Sequence, residues 1–461
     1  MILSLDDQTI IAQCTPKGSG AIALIRISGV TAIVIAAQVA KLASGKSLLD
    51  LPTHTIHVGW ILDEQGNHID QVMFLLMHGP KTFTGQDVVE ITCHNNPFIV
   101  QAIIHECIKH GARMAQEGEF TKRAVLNNKM DLIQAEAINE LIHANTQLGL
   151  KKSLSQLDGS FSNWISSIEK EITKALAFCQ ASFEFIDEEM AFGGQIKEIL
   201  VDTVQTINSI KKTFNQQLHI RQGIRIAIIG SVNAGKSSLF NALLQKERAI
   251  VTEIAGTTRD AIEAGMYKKD CYWTLIDTAG LRQTDDVIEQ EGIKRSHKEA
   301  QQADIIVLVF DGSREMTDQE YIVYDELLMQ YRHKIICVQH KSDLPNCANA
   351  LLAQQSSIIK LSSYEHQGHE LLEQHIEFMI EQLMTKNESP FLLNHRHYNL
   401  LLGLEKRLLE VLAMFDQTLN PAYELVSYHL NDALAHLSEL TGKSVSEQTM
   451  DAVFKEFCVG K

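Results

Sequence analysis

Ile224-Arg225-Ile226-Ala227-Ile228-Ile229 runs into Gly230-Ser231-Val232-Asn233-Ala234-Gly235-Lys236-Ser237 and on into Ser238-Leu239-Phe240-Asn241-Ala242-Leu243-Leu244. The first block is an apolar run of strand length and the last has helical character. The loop between them carries the spacing GxxxxGK[ST]. Such a loop offers backbone N–H groups to phosphate at a helix N-terminus. In this arrangement Lys236 supplies charge to β/γ oxygens, and the Ser237 hydroxyl is a ligand for Mg²⁺. The loop residues expected at the nucleotide are Asn233, Ala234, Gly235, Lys236, Ser237 and Ser238.

Four further elements follow in the order a GTPase requires. Gly256-Thr257-Thr258-Arg259-Asp260 comes after the first helix, and Thr258 is a candidate switch hydroxyl for Mg²⁺. Asp277-Thr278-Ala279-Gly280 closes the apolar run Tyr272-Trp273-Thr274-Leu275-Ile276, with Asp277 placed to hold a metal-bound water and the Gly280 amide the γ-phosphate. His340-Lys341-Ser342-Asp343 follows Ile335-Ile336-Cys337-Val338, and a carboxylate at Asp343 accepts from two guanine N–H groups that adenine does not offer together. Leu361-Ser362-Ser363 presents a backbone amide to the guanine carbonyl. Two of these elements depart from the usual pattern: His340 stands where asparagine is common, and Ser363 where alanine is. Leu281 occupies the place of the water-orienting glutamine of Ras-like proteins. Glu289 is a candidate substitute, although by itself it also reads as a solvated glutamate at a helix start.

Outward from this segment the texture changes. Residues 1–128 mix β-rich runs with glycine and proline, the pattern of a small α+β domain. Residues 129–222 are helical in period, with Ile133, Ala137, Ile138, Leu141 and Ile142 on one stripe. Strand–helix alternation occupies 223–384, and helical texture returns over 385–461. The expected fold is therefore multidomain α/β plus α: an N-terminal α+β domain and a P-loop (Ras-like) domain inserted into a discontinuous helical domain.

With 461 residues, 45% of them hydrophobic and 21% charged, the chain has ample material for several cores. Its net charge of −16 argues against holding RNA by diffuse phosphate attraction. Eight cysteines without a CxxC pair suggest reduced thiols and a cytoplasmic location. The acidic start Met1-Ile2-Leu3-Ser4-Leu5-Asp6-Asp7 does not read as a signal peptide, and Ala21 to Ala40 contains Arg26 and Gly29, a poor membrane span. The ending Cys458-Val459-Gly460-Lys461 fits a prenylation box badly.

Other blocks extend the pattern from end to end: Asp7-Gln8-Thr9-Ile10-Ile11-Ala12-Gln13-Cys14-Thr15-Pro16, Phe83-Thr84-Gly85-Gln86-Asp87-Val88-Val89-Glu90, Gly118-Glu119-Phe120-Thr121-Lys122-Arg123-Ala124-Val125-Leu126-Asn127-Asn128-Lys129-Met130-Asp131-Leu132 and Phe454-Lys455-Glu456-Phe457-Cys458-Val459-Gly460-Lys461. With these, the whole chain resembles the MnmE (TrmE) family of tRNA-modification GTPases.

The resemblance implies a homodimer whose N-terminal domain binds tetrahydrofolate, with contacts at Arg26, Glu90, Lys129 and Lys461. It implies work in a heterotetramer with the FAD-dependent protein MnmG (GidA), through which tRNA is reached. A 5-formyl- or methylene-tetrahydrofolate then supplies the one-carbon unit for a carboxymethylaminomethyl or aminomethyl group on carbon 5 of the wobble uridine. GTP is the substrate of the switch, with Mg²⁺ at Ser237 and Thr258. K⁺ stands where other systems insert an arginine finger, at Asn233, Thr252, Ile254 and Thr257. The nucleotide segment includes Glu253, Ala255 and Gly256, and Glu289 takes the role of the catalytic glutamate that aligns water. Departures from the family are Lys17 for a second proline, Asn95-Asn96 for a Gly-Gly pair, Gln86 for a glutamate and Val232 for a proline. Two rival classes are an RNA-binding assembly switch, which should carry a basic appendage, and a small-molecule kinase, which should lack Asp343.

Overall fold

The computed structural model describes residues 8–184 apart from 19, 192–214, 217, 220, 221, 223–245, 262–277 apart from 270, 297–345, 347, 351, 357–362, 368–385, 389–417 and 421–461. The chain forms two compact units: Met1–Asn139, Ser155–Gln205 and His395–Lys461 make one, and Glu140–Leu154 with Thr206–Asn394 make the other.

In the first unit, β1 (Ile10–Gln13), β2 (Ile22–Ser28), β3 (Ala40–Leu42), β4 (Thr55–Leu62), β5 (His68–Met77), β6 (Val88–His94) and β7 (Arg113–Met114) form a seven-stranded sheet in the order β3-β4-β5-β6-β2-β1-β7. All neighbours are antiparallel except β1 and β7. Period-two alternation puts Ala23, Ile25, Ile27, Phe74, Leu76, Val89 and Ile91 into one core. That core is closed by α1 (Ala32–Val39) and α2 (Pro97–Lys109). The Asn95-Asn96 pair does local work here. Asn96 caps α2 by accepting from the Phe98 N–H at 2.9 Å, and Asn95 Nδ2 donates to the Gly18 carbonyl at 2.9 Å.

The helices of this unit include α3 (Glu119–Leu126), α4 (Leu132–Ile142, which ends in the second unit), α5 (Gln147–Leu157, likewise shared) and α6 (Ser160–Glu184). Beyond α7 (Gly193–Lys211) and the second unit's α8 (Lys236–Gln245), α9 (Asp318–Tyr331) and α10 (His369–Thr385), the unit resumes with α11 (His395–Gln417), α12 (Tyr423–Thr441) and α13 (Glu447–Phe454). A buried polar knot joins distant segments. Glu136 on α4 accepts from Arg396 at 2.8 and 2.6 Å and from His397 Nε2 at 2.6 Å, and Arg396 also donates to the Glu439 and Leu440 carbonyls at the end of α12. Met450, Phe454 and Phe457 pack with Val125, Leu132 and Ala135, which brings the C-terminal tail to α3 and α4.

The second unit holds β8 (Ile224–Gly230), β9 (Ile262–Lys268), β10 (Cys271–Asp277), β11 (Ile305–Asp311), β12 (Ile335–His340) and β13 (Ile359–Leu361) in the order β13-β12-β11-β8-β10-β9. Only β9 runs antiparallel to its neighbour. Buried on both faces, β8 and β11 are near-continuous apolar runs, as a parallel sheet requires. The strand order reverses around β8, so the crevice for a ligand lies past its C-terminal end. The expected fold class holds: α+β, helical and P-loop α/β parts are all present.

Candidate nucleotide and cofactor sites

The phosphate loop leaves β8 at Gly230 and enters α8 at Lys236. Its curl needs left-handed residues, Asn233 at φ 61° and Gly235 at φ 101°. A Cβ on Gly235 would also strike the imidazole of His340, so that glycine answers both a backbone and a packing demand. Lys236 is 6% exposed and its Nζ donates to the Ser231 carbonyl at 2.7 Å. Burial pulls its pKa down, opposed by the charge of Asp277. Ala234 is buried, whereas Ser237 and Ser238 are exposed at the start of α8.

Asp277 is 2% exposed at the end of β10, in register with Ile228 of β8. At the end of β12, His340 is buried, and Lys341 takes φ 60° and sends its Nζ to Asp311 Oδ2 at 2.6 Å. The Ser342 N–H donates to the Leu361 carbonyl, and the fully buried Ser362 hydroxyl donates to Asp343 Oδ1 at 2.7 Å. That hydroxyl holds the Asp343 carboxyl below its ordinary range. The structure therefore gathers Asn233 to Ser238, Asp277, Lys341, Asp343 and Ser362 at the C-terminal ends of β8, β10, β12 and β13. Thr252, Glu253, Ile254, Ala255, Gly256, Thr257, Thr258, Thr278, Ala279, Gly280, Glu289 and Ser363 lie outside the described residues.

The second set of candidates sits on the first sheet. Arg26 on β2 faces Glu90 on β6 in register, with Nε and Nη2 each 2.8 Å from Oε1. The guanidinium also lies 5.6 Å from the Phe83 ring centre and 5.5 Å from that of Phe120. The tail docks beside this pair. Phe120 N–H donates to the Lys461 carbonyl at 3.1 Å, and Gly460, at φ 97°, comes so close that a Cβ there would strike the Gln13 carbonyl and the Cys14 backbone. The Cys14 thiol, pushed up by burial, feels the charges of Arg26, Glu90 and Lys461. Lys129 is bound instead to the Pro80 carbonyl at 2.8 Å, against Gly85 of the loop that also carries Phe83. Arg26 and Glu90 thus pair directly, the Lys461 backbone docks on Phe120 beside them, and Lys129 binds the loop that carries Phe83.

Residues 9–129 match the family described as the N-terminus of the GTP-binding protein TrmE, and residues 132–458 match the MnmE helical domain. The chain belongs to the MnmE family. A relative in Streptococcus mutans, called tRNA modification GTPase MnmE, is 37% identical, with 98% of this chain and 98% of its own length covered. The Aquifex aeolicus protein of the same name is 35% identical over 98% of this chain and 100% of itself. That from Christiangramia forsetii is 35% identical over the full length of both.

Several residues around these MnmE-type sites escape a linear reading. Phe83, Phe120 and Cys14 give no individual signal, because only the sheet and the docked tail bring them to Arg26. Gln86, which departs from the usual MnmE glutamate, accepts from Arg123 Nη1 at 3.0 Å. Among the described residues no helix is long and apolar enough to cross a membrane, and no three His, Cys, Asp or Glu side chains could hold a metal by themselves. All eight cysteines are free thiols.

Proposed function

We propose that this GTPase of tRNA modification is stimulated by K⁺ and works as a homodimer with an FAD-dependent MnmG partner. It would use a tetrahydrofolate one-carbon unit to build an aminomethyl or carboxymethylaminomethyl group on the wobble uridine. The observation that carries the GTPase half is the pairing of a buried Lys236 in the phosphate loop with Asp343 locked by Ser362. On this reading 1–128 bind folate, 223–384 hydrolyse GTP, and 129–222 with 385–461 form the discontinuous helical domain.

The residues of the chain do distinct work. Lys236, removed from water, attracts phosphate charge more strongly than a solvated lysine. Asp343 is acceptor-only and held in one orientation, which suits two parallel guanine N–H donors. Ser237 is a hard oxygen donor, as is Thr258 outside the described residues, and Asp277 is proposed to hold a metal-bound water; a site with so few protein ligands fits Mg²⁺, which would keep waters and phosphate oxygens as its other ligands. Asn233, held exposed in the left-handed conformation, is the K⁺ candidate among the described residues. When bound, the two cations neutralise charge developing between the β- and γ-phosphates. Glu289 is proposed to align the attacking water.

The folate half is supported by the Arg26–Glu90 pair, 18% and 15% exposed, whose guanidinium lies near the Phe83 and Phe120 rings, with the Lys461 backbone docked on Phe120. A carboxylate such as Glu90 suits pterin N–H groups, and basic side chains suit the glutamate tail of folate.

The test is mass analysis of wobble nucleosides in tRNA from cells with and without this protein. Loss of the aminomethyl-type nucleosides on deletion, restored by the intact gene and not by Lys236→Ala, is the expected result; an unchanged profile sinks the proposal. GTP turnover should be at least about tenfold faster in K⁺ than in Na⁺, reflecting a transition-state gain of about 1.4 kcal/mol, and Asn233→Ala should erase the difference. Equal rates in the two salts would remove the K⁺ role alone.

A further inference from the structure

Tyr324 lies on α9, far in sequence from the phosphate loop, yet its hydroxyl sits at the loop's entrance. It is 4% exposed and donates to the Val309 carbonyl of β11 at 2.9 Å while accepting the Ser231 N–H at 2.5 Å. One hydroxyl proton and one lone pair are thereby both used. A Cβ on Gly230 would strike the Val309 carbonyl at 2.5 Å, the same carbonyl that accepts from Tyr324, and would come within 3.3 Å of the phenol oxygen.

A charged pair flanks this peg. Thr317 and Glu320 form a capping box at the start of α9, and Glu320 takes Arg314 in a two-bond pair, Nη1 to Oε2 at 2.9 Å and Nη2 to Oε1. Arg314 Nη2 is also 3.3 Å from the Ser231 hydroxyl. Arg314 holds the Glu320 carboxyl down to about 2, so the pair stays charged, and burial pushes the Tyr324 phenol up, so its proton stays. The Arg314 guanidinium is 3.7 Å from Asp311, which in turn takes Lys341 of the base-reading loop.

What Ser231 does next gives the cluster its consequence. Its N–H is pinned by Tyr324, and its carbonyl, in the following peptide group, receives both Lys236 Nζ at 2.7 Å and the Ala234 N–H at 3.2 Å. Rotation of Ser231 therefore displaces the ammonium group that meets phosphate.

We propose that Tyr324, supported by the Arg314–Glu320 pair, is a positioning residue for the nucleotide: it fixes Ser231 and through it Lys236, and so sets how long a guanine nucleotide is retained. The proposal rests on the GTPase reading of the site. It is tested on the full-length protein with fluorescent GDP, measuring affinity and dissociation rate for wild type, Tyr324→Phe, Arg314→Ala and the double variant, each beside its melting temperature without nucleotide. Loss of one such bond predicts about tenfold weaker GDP binding in Tyr324→Phe through faster dissociation, with the loss in GTP turnover falling on KM more than on kcat. Arg314→Ala should shift in the same direction by a few-fold, and the double variant by less than the product of the two, because both act on Ser231. Wild-type affinity and dissociation in both single variants would overturn the brace. If wild type itself fails to bind GDP, the GTPase reading falls with it. If Tyr324→Phe melts early, Arg314→Ala decides, since that side chain is 39% exposed and its removal leaves the core intact.

Discussion

Asp343 and Gly235 show how single residues govern this site. Asp343 offers its carboxylate already oriented by the Ser362 hydroxyl at 2.7 Å. An Asp343→Asn variant replaces one acceptor by a donor facing donors, and its guanine-nucleotide affinity should drop by about 10- to 100-fold, the scale of a charge-assisted hydrogen bond. Xanthine nucleotide, whose ring offers an acceptor there, should bind the variant better than GTP; competition binding checks both outcomes. Gly235→Ala meets two penalties, about 1–3 kcal/mol for an alanine at φ 101° and a clash with the His340 imidazole. Its GDP affinity should fall by at least about tenfold, as read by calorimetry. His340, where asparagine is usual, thus has a packing role: from the end of β12 it backs the phosphate loop at Gly235. Burial, then Lys341 and His369, keep its pKa below the ordinary histidine value, consistent with a neutral ring in that role.

Among elements, α4, α11 and α12 meet on one buried carboxylate. Burial by itself would push Glu136 up, but the charges and hydrogen bonds of His397 and Arg396 more than offset it and bring the pKa well below the ordinary 4.5. A depressed folded pKa means that the contribution to stability is fully present above about pH 4.5 and fades as pH falls below it. Glu136→Gln leaves Arg396 and His397 without their counter-charge and should cost about 3–5 kcal/mol, visible as a lowered denaturation midpoint. Denaturation curves at pH 7 for both proteins check this expectation.

At the scale of the whole molecule, the chain's last residues return to its first strand. Gly460 lies against Gln13 and Cys14, and the Lys461 carbonyl receives the Phe120 N–H. The tail and the first strand thus meet in one compact unit, while the phosphate loop belongs to the other. Lys461→Ala should weaken 5-formyl-tetrahydrofolate binding by about tenfold, the loss of one charge-assisted contact, and leave GDP affinity unchanged; two separate titrations read this. A parallel loss of GDP affinity would contradict the separation of the two sites.

Sequence alone determined what depends on local order. The strand–loop–helix at 224–244 is legible because phosphate loops need fixed glycines and a lysine at fixed spacing, and Asp343, proposed to read guanine, follows its own strand at a recognisable distance. The long helices of 160–184 and 395–417 are legible because apolar residues repeat with the period of a helix. Tertiary structure decided what depends on separation. Arg26 meets Glu90 across 64 positions, Glu136 meets Arg396 across 260, and Tyr324 reaches Ser231 across 93. None of these pairs has a spacing or periodicity of its own. Each exists because sheet order, helix packing and a docked tail remove water from a polar group, which must then be satisfied by whatever partner the fold delivers.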